Sequence, residues 1–322
     1  MTSRPPSVPP GKPLTNPSPP NPSSNPAHTQ KIPLERLFPF PTLLETLKMP
    51  LLRWVLIFAL FPLAAGIYFS NYVDIEKATW VIGLYFAVLW AFVIRALIGL
   101  ESFKIRNIVV PAIFTPIVGI FLVLLLQKFP IIKQLYDAAD PQTQYDPLRL
   151  LGFVGGVGLL EEGVKILPIF WLCFYAKEID RPKKAAFYAA ISGLSFGIPE
   201  AVQYSLQTAE QNAAFAQQTG IVGTGNYIIS QFLRVITLPL LHAAFSGIVG
   251  FYMSLALNKP TQIRTMLITG LAVGALLHGL YDFFAGSWLG LLVAAVSIWL
   301  FIGLARSDSS ALDRTIDSAP SS

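Results

Sequence analysis

The chain has 322 residues, of which 53% are hydrophobic and only 13% are charged. Because soluble domains carry about 25% charged residues, a water-soluble fold would leave much apolar surface uncovered, and the composition predicts a polytopic membrane protein. The single cysteine, Cys173, excludes an internal disulfide and a cysteine-based metal cluster. The net charge of +5 says less than the positions of the charges along the chain.

The two ends of the chain differ in composition from the long apolar region between them. Residues 1–30 are rich in Pro, Ser, Asn and Thr and have almost no apolar content, so segment 1–48 is predicted to be a disordered cytoplasmic tail. Residues 49–306 are predicted to form one transmembrane domain, and residues 307–322 a short polar tail.

Apolar runs of about 20 residues predict about eight transmembrane helices, since that length crosses a hydrocarbon core about 30 Å thick. The loop at 207–227 is predicted to be flexible, with helix over 209–218. The fold class is therefore all-α, a polytopic membrane helix bundle. The predicted spans are 51–70, 78–98, 108–127, 149–175, 185–206, 228–257, 264–285 and 287–305.

The distribution of Lys and Arg predicts the orientation of the bundle. With the N-terminus in the cytoplasm, fifteen of these residues fall in inner tails and loops. Only four fall in outer loops, namely Lys77, Lys128, Lys133 and Arg149. Cytoplasmic loops carry the excess of positive charge, so we expect both termini and the loops near 99–107, 176–184 and 258–264 to face the cytoplasm.

Ionisable residues concentrate in the fourth to seventh predicted spans, whereas the first three spans are nearly bare. A charge at bilayer depth costs at least about 2.5–3.5 kcal/mol on insertion scales, so each such residue is a candidate for a functional site. This asymmetry predicts a four-helix active core. The residues are Glu161, Glu162, Lys165, Glu200, His242, His278 and Asp282.

Helical spacing predicts which of these side chains meet. Glu161 and Lys165 are four residues apart and share one helix face, so the lysine can neutralise that carboxylate inside the bilayer. Glu162 is turned about 100° from Glu161 and is expected not to share Lys165 equally, which would separate acid and base roles. His278 and Asp282 have the same spacing, so the aspartate is expected to orient the imidazole.

The predicted depths of these residues coincide. With the N-terminus inside, all lie between the middle of the bilayer and its outer surface, within a slab of roughly 10–15 Å. We therefore predict one water-accessible cavity in which Glu161 or Glu162 approaches His242 and His278, with Glu200 in its wall. We interpret Arg234 as either structural or substrate-orienting.

Four short motifs, in this order and on separate predicted spans, resemble the PrsW family of intramembrane proteases, within the wider group that includes the CAAX prenyl proteases. They cover about residues 150–285. Lys165 stands one residue earlier than the arginine of the prenyl proteases, and Glu200 stands where that group has a histidine, which favours the PrsW branch. The motifs are Glu161-Glu162-x-x-Lys165, Phe196-x-x-x-Glu200, Arg234 with His242, and His278-x-x-x-Asp282.

The resemblance implies a PrsW-like intramembrane endopeptidase in a bacterial plasma membrane. It implies a membrane-embedded or single-span protein as substrate, and the best-known substrate class of the family is an anti-sigma factor. Peptide hydrolysis needs an activated water, a stabilised oxyanion and a proton for the leaving amine. We interpret Glu161 or Glu162 as the general base, with His242 and His278 positioning the water or polarising the scissile carbonyl. The predicted supporting residues are Lys165, Phe196, Glu200, Arg234 and Asp282.

The residues leave metal dependence open. Two histidines, a carboxylate and a water make a familiar catalytic zinc set, for which the candidates are Glu161, Glu200, His242 and His278. The helical His-Glu-x-x-His zinc motif is absent from the sequence. We therefore favour a reaction that does not require a metal ion. The resemblance points both to metalloproteases and to glutamate-dependent prenyl proteases. If a cofactor is needed, the candidate is one zinc ion.

Two other classes of protein fit part of this pattern. A proton-coupled transporter also places Glu, His and Asp in membrane spans, but it usually has paired broken helices in two halves, and no such symmetry is visible. A non-catalytic membrane scaffold would tolerate Glu161→Ala and His278→Ala. The predicted partners are the lipid bilayer and a membrane protein, and no nucleic acid is expected.

Overall fold

The computed structural model describes residues 75–140, 146–219, 224–258 and 262–307, and every regular element in these ranges is a helix. The predicted all-α membrane bundle is confirmed. Six helices within the described ranges are long and apolar enough to cross a membrane. The predicted span 51–70, the tail 1–48 and nearly all of the tail 307–322 lie outside the described residues. The predicted number of eight spans is therefore not confirmed.

The first described helices build one side of the bundle. Helix α1 (Ile75–Ile98) is continuous. The next span, Ile105–Leu126, consists of α2 (Ile105–Phe114) and α3 (Ile120–Leu126), with a π-helical turn between them. The short helix α4 (Pro130–Ala138) follows it and begins at a proline, which needs no backbone hydrogen-bond acceptor there.

The predicted span 149–175 is an interrupted helix and is not one of the six long helices. Helix geometry breaks off at Ile166, because Pro168 has no N–H to donate to the preceding turn. Glu161, Glu162 and Lys165 thus lie just before the break. The segment consists of α5 (Asp146–Leu151), the π-helical stretch Gly152–Gly158, α6 (Leu159–Lys165), α7 (Leu167–Phe170) and the π-helical turn Trp171–Tyr175.

Four long helices complete the described chain. They are α8 (Pro182–Thr219), α9 (Thr224–Asn258), α10 (Ile263–Phe283) and α11 (Trp288–Arg306). Helix α8 extends into the predicted loop as far as Thr219, so the helix expected over 209–218 is part of α8.

Helices α8 and α9 form the centre of the bundle and pack closely through glycines. A Cβ atom at Gly193 would collide with the backbone of His242, and one at Gly197 would lie 2.7 Å from Cα of Pro239. Small residues allow helix backbones to approach in membranes. This close contact brings His242 beside the α8 turn that carries Phe196 and Glu200.

Glycines also hold the interrupted segment between α4 and α10. A Cβ atom at Gly156 would lie 2.7 Å from the carbonyl group of Leu135, and one at Gly158 would collide with the carbonyl oxygen of Ala275. Any larger residue at these positions would push the segment away from its neighbours. The glycines thus fix α6 at the level of the α10 residue His278.

Candidate active site

Lys165 is the centre of the site, and its side chain is completely buried. Its Nζ atom lies 3.0 Å from Glu161 Oε2, 2.9 Å from Glu162 Oε1 and 2.7 Å from His242 Nδ1. An ammonium group has three hydrogens to donate, so each is matched by one acceptor. The centroid of the Phe196 ring lies 4.1 Å from Nζ and adds a cation–π interaction.

The contacts of Lys165 correct the expectation that Glu162 cannot share it equally. The two carboxylates lie at almost the same distance from Nζ. Residues three and four apart both lie on one helix face, and the long lysine side chain reaches between them. The 100° turn between the two glutamates therefore does not separate them from the lysine.

The two glutamates differ in their remaining contacts. Both oxygens of Glu162 are hydrogen-bonded, because Oε1 also lies 3.1 Å from His278 Nδ1 and Oε2 accepts from Ser246 Oγ at 2.7 Å. Glu161 Oε2 lies 3.8 Å from His278 Nε2. Glu162 is fully buried, whereas Glu161 is 4% exposed. Glu161 is therefore the less constrained carboxylate.

The two histidine rings face each other at the core of the site. Their centroids lie 5.0 Å apart and the rings are nearly perpendicular, while Phe245 stacks on His278 at 5.0 Å. Because an ammonium only donates, His242 Nδ1 accepts from Lys165 and a neutral His242 carries its proton on Nε2. That atom lies 2.8 Å from Glu200 Oε2, yet neither atom has a well-aligned hydrogen bond within the described part of the chain.

The site opens to its surroundings on the side of Glu200 and Asp282, whose side chains are 19% and 24% exposed. Asp282 Oδ2 lies 3.4 Å from His278 Nε2, consistent with the expected orienting contact. Arg234 makes a cation–π contact. Its guanidinium carbon stands 4.8 Å from the centroid of the Tyr204 ring, and it forms no ion pair with a site carboxylate among the described residues.

Two buried serines belong to the site and were not expected from the sequence. Ser246 binds Glu162, and Ser192 Oγ donates to the carbonyl oxygen of Lys165 at 2.6 Å. That carbonyl is free because the Ile169 N–H bonds to Ile166 across the helix break. Each serine lies four residues from an expected site residue on its own helix, His242 or Phe196, a spacing that puts both on one helix face but does not by itself single the serines out.

Tyr136 on α4 approaches the site from outside the long helices. Burial, followed by the nearby carboxylates of Glu161, Glu200 and Asp282, raises the pKa of its phenol. Tyr136 was not among the residues expected at the site, because α4 lies in a predicted outer loop. The close packing of Leu135 and Tyr136 on Gly156 explains how the side chain is held there.

The residues fit a metal ion in type and spacing. Ligand atoms of Glu161, His242 and His278 all lie within 4.8 Å of one another, and Glu200 is not in this group. His278 has the arrangement of a zinc ligand, with Nδ1 on a carboxylate and Nε2 on the side of Glu161. His242 would have to lose the Nε2 proton to bind, since ligands bind metal in their deprotonated form.

The charge of the cluster also favours a cation. Glu161 and Glu162 share one buried ammonium, that of Lys165, while the carboxylates of Glu200 and Asp282 lie beside the two histidines. Isolated negative charge is expensive in a medium of low dielectric constant. Protonated imidazoles or a divalent ion would balance the excess.

A family model described as PrsW family intramembrane metalloprotease matches residues 103–305, which include every residue of the site. The chain belongs to this family. Protease PrsW of Shouchella clausii (strain KSM-K16) is 25% identical over 131 residues, which are 41% of this chain and 53% of that protein. The chain thus spans about half the length of this curated relative. No solved structure matches the chain significantly.

Membership of the PrsW family confirms the resemblance seen in the four motifs. Together with six long apolar helices in the described ranges, it identifies an integral membrane protein. The description of PrsW proteins as metalloproteases agrees with the donor set of Glu161, His242 and His278.

Proposed function

We propose that this PrsW-family chain is an intramembrane protease that hydrolyses a peptide bond of a membrane protein. The observation that carries the proposal is a cluster in the interior of the bundle, in which Glu161, Glu162 and His242 contact Lys165 and His278 contacts Glu162. All four are at most 4% exposed. A hydrolase in a bilayer must keep its acid–base groups away from lipid, and the burial of these four side chains does so.

Glu161 is the proposed general base. It has fewer hydrogen bonds to described residues than Glu162, whose oxygens are both occupied. The 3.8 Å gap between Glu161 Oε2 and His278 Nε2 is short enough for one water molecule to bridge the two atoms. Glu161 would take a proton as this water attacks the scissile carbonyl, and would return it to the leaving amine.

His242 is the proposed donor to the oxyanion. Its Nε2–H lies on the side of Glu200, where the site opens, and hydrogen bonds to the developing charge are stronger away from bulk water. Lys165 fixes Nδ1 of the same ring. Glu162 and Asp282 hold the His278 ring through its two nitrogens.

A zinc ion, when bound to Glu161, His242 and His278, would supply Lewis-acid activation of water or of the scissile carbonyl. The general-base role of Glu161 and the donor role of His242 Nε2–H belong to the metal-free reaction, because both residues would bind the ion. Glu162 and Ser246 would still fix the orientation of His278 and of the carboxylate beside it.

We propose a single-span membrane protein as substrate, with an anti-sigma factor as the class that the family resemblance implies. The reacting groups are buried and the opening lies past Glu200 and Asp282. A regular helix about 10 Å wide would not reach them. The substrate must therefore present a locally unwound stretch.

The test uses the purified protein in liposomes that also hold a fluorescently tagged single-span protein. We expect Glu161→Gln to lower the cleavage rate about 10²–10⁴-fold, because glutamine keeps the shape but cannot accept a proton. Glu162→Gln and His278→Ala should also abolish cleavage, and Asp282→Asn should be milder. Exposed Glu210→Gln, on the same helix as Glu200, is the matched control. If both glutamine variants of α6 cleave at the normal rate, this site is not catalytic.

The same liposomes separate the other two classes. A strong zinc chelator distinguishes a metal-dependent from a metal-free reaction, with rate recovery on adding zinc as the control. Proton flux without cleavage, lost in Glu161→Gln, would replace the protease with a proton-coupled transporter. Full biological function of Glu161→Ala and His278→Ala would indicate a scaffold.

A further inference from the structure

A second pocket lies where three helix ends meet, and it shares no residue with the candidate active site. It forms between the end of α1, the start of α8 and the end of α11, and its volume is about 420 Å³. Its walls come from residues 99–102, 181–184 and 306–307. Two of these stretches lie in loops predicted to face the cytoplasm, and the third begins the C-terminal tail predicted for the same side.

The pocket is strongly positive. Four basic residues and one acid, Glu101, contribute to its lining. Lys184 is paired with Asp180 at 2.8 Å. The other three cations form no ion pair with any residue in the described ranges. They are Arg181, Lys183 and Arg306.

The wall of the pocket that residues 99–102 form is held in place by Arg95, which does not itself line the pocket. Arg95 Nε donates to the carbonyl oxygen of Leu100 at 3.2 Å, and its Nη2 donates to that of Glu101 at 3.4 Å. The guanidinium also lies over the ring of Phe103. Gly99 has φ of +63°, a left-handed conformation that glycine adopts without strain. The wall is therefore preformed, and Arg95 adds positive charge behind it.

The surroundings of the pocket are those of a membrane interface. It lies at the ends of α1 and α11, whose exposed residues farther along are large and apolar. Phe92 and Trp299 are 61% and 74% exposed, as expected for surfaces that face lipid. A molecule with a charged head and apolar chains fits a charged pocket at the end of such helices better than a soluble anion does.

We propose that this pocket binds the phosphate-bearing headgroup of an anionic phospholipid. Arg181, Lys183 and Arg306 supply charge and hydrogen-bond donors, and the hydroxyl of Ser102 supplies a neutral donor. The α8 helix begins at Pro182, so its dipole adds to the positive potential. The cytoplasmic leaflet, toward which the pocket is predicted to face, is the leaflet that attracts clustered basic residues.

The test measures lipid binding to the full-length protein in neutral detergent by native mass spectrometry. We expect phosphatidylglycerol to bind at least tenfold more tightly than phosphatidylcholine. Each basic residue near an anionic surface contributes roughly fivefold in affinity, so Lys183→Gln with Arg306→Gln should weaken phosphatidylglycerol binding about 30-fold. Arg306→Lys keeps the charge and should bind within about threefold of the original protein.

The control removes the same charge outside the pocket. Lys177→Gln with Arg264→Gln changes two exposed residues near the predicted cytoplasmic face, and affinity should stay within about twofold. Equal losses in both double variants would indicate diffuse attraction and overturn the proposal. So would inorganic phosphate that binds as tightly as the lipid and with the same dependence on Lys183 and Arg306. Each single Gln variant should show about a fivefold loss, so a poorly folded double variant does not decide the result.

Discussion

The two most buried spans of the described bundle, those in α8 and α9, are less hydrophobic than the two spans that precede the interrupted segment. The spans in α8 and α9 are 89% and 78% buried, with mean hydropathies of 1.3 and 1.6. The spans Glu76–Ile98 and Ile105–Leu126 are 28% and 22% buried, with mean hydropathies of 2.3 and 2.7. Soluble proteins show the opposite order. In a bilayer, lipid is as apolar as leucine, so close packing and polar contacts drive helix association instead.

This difference explains how the bundle accommodates a charged site. Small residues let α8 and α9 approach until backbone meets backbone at Gly193. Hydroxyl groups such as that of Ser192 then satisfy carbonyls that a broken helix leaves free. The outer helices need only large apolar side chains toward lipid, such as Phe92.

The largest expected effect comes from removing the buried cation. Lys165→Ala leaves buried carboxylates without their partner, and we expect it to destabilise the protein by about 3–5 kcal/mol. Lys133→Ala is the matched control, since it breaks an i,i+4 pair with Asp137 in which both side chains are 61% exposed; it should cost at most about 1 kcal/mol. Thermal unfolding in detergent measures both. Equal losses of stability in the two variants would mean that the buried cluster stabilises the protein no more than an exposed ion pair does.

A methyl group tests the close packing of the centre. Gly193→Ala places a Cβ atom onto the backbone of His242, and we expect a loss of about 1–3 kcal/mol together with weaker activity. Gly303→Ala on α11 meets nothing within 4 Å and should be neutral or stabilising by up to about 1 kcal/mol, because alanine favours helix. The comparison fails if both variants unfold at the same temperature.

The smallest effect is expected at the surface. Glu178 lies 2.5 Å from Lys104 Nζ and also pairs with Arg106. The hydrogen bond from Lys104 and the charges of both cations hold the pKa of Glu178 below its usual value. The contribution of the Glu178 carboxylate to the free energy of unfolding is fully present above its ordinary pKa of about 4.3. This contribution is lost as the pH falls through the lowered pKa of the folded state.

Melting curves from pH 7 to pH 3 measure this contribution. At pH 7 the original protein should melt at a slightly higher temperature than Glu178→Gln, and this difference should shrink toward pH 3. The exposed variant Glu210→Gln serves as the control. A difference that grows as the solution becomes more acidic would contradict the assignment.

The sequence predicted which residues meet but not how they share their contacts. Ionisable groups in apolar spans identified Glu161, Lys165, His242 and His278, and the structure brings them together. The sequence analysis did not predict that Glu161 and Glu162 share Lys165 equally, because it considered only pairs of residues four apart. The reach of a long side chain also covers a spacing of three.

Other features depend on tertiary packing and leave little trace in the sequence. Buried serines in an apolar helix look like any other small residue, so Ser192 was not distinguished from Ser195, whose hydroxyl bonds only within its own helix. The position of Tyr136 depends on how α4 packs on a glycine-rich segment. Arg234 was interpreted from the sequence as either structural or substrate-orienting, and the structure shows its guanidinium over the ring of Tyr204.

The ion cluster also sets an order of assembly. Lys165 and the two glutamates are neighbours in sequence, so their attraction exists as soon as this one segment enters the membrane. The bonds to His242, Ser246 and His278 join residues 77, 84 and 116 positions apart. They form only after α9 and α10 have inserted and docked. Lys165 therefore neutralises the glutamates of its own segment while the protein is being inserted. The two histidines join them only when α9 and α10 dock, so the site would become able to hydrolyse peptides only when the bundle is complete.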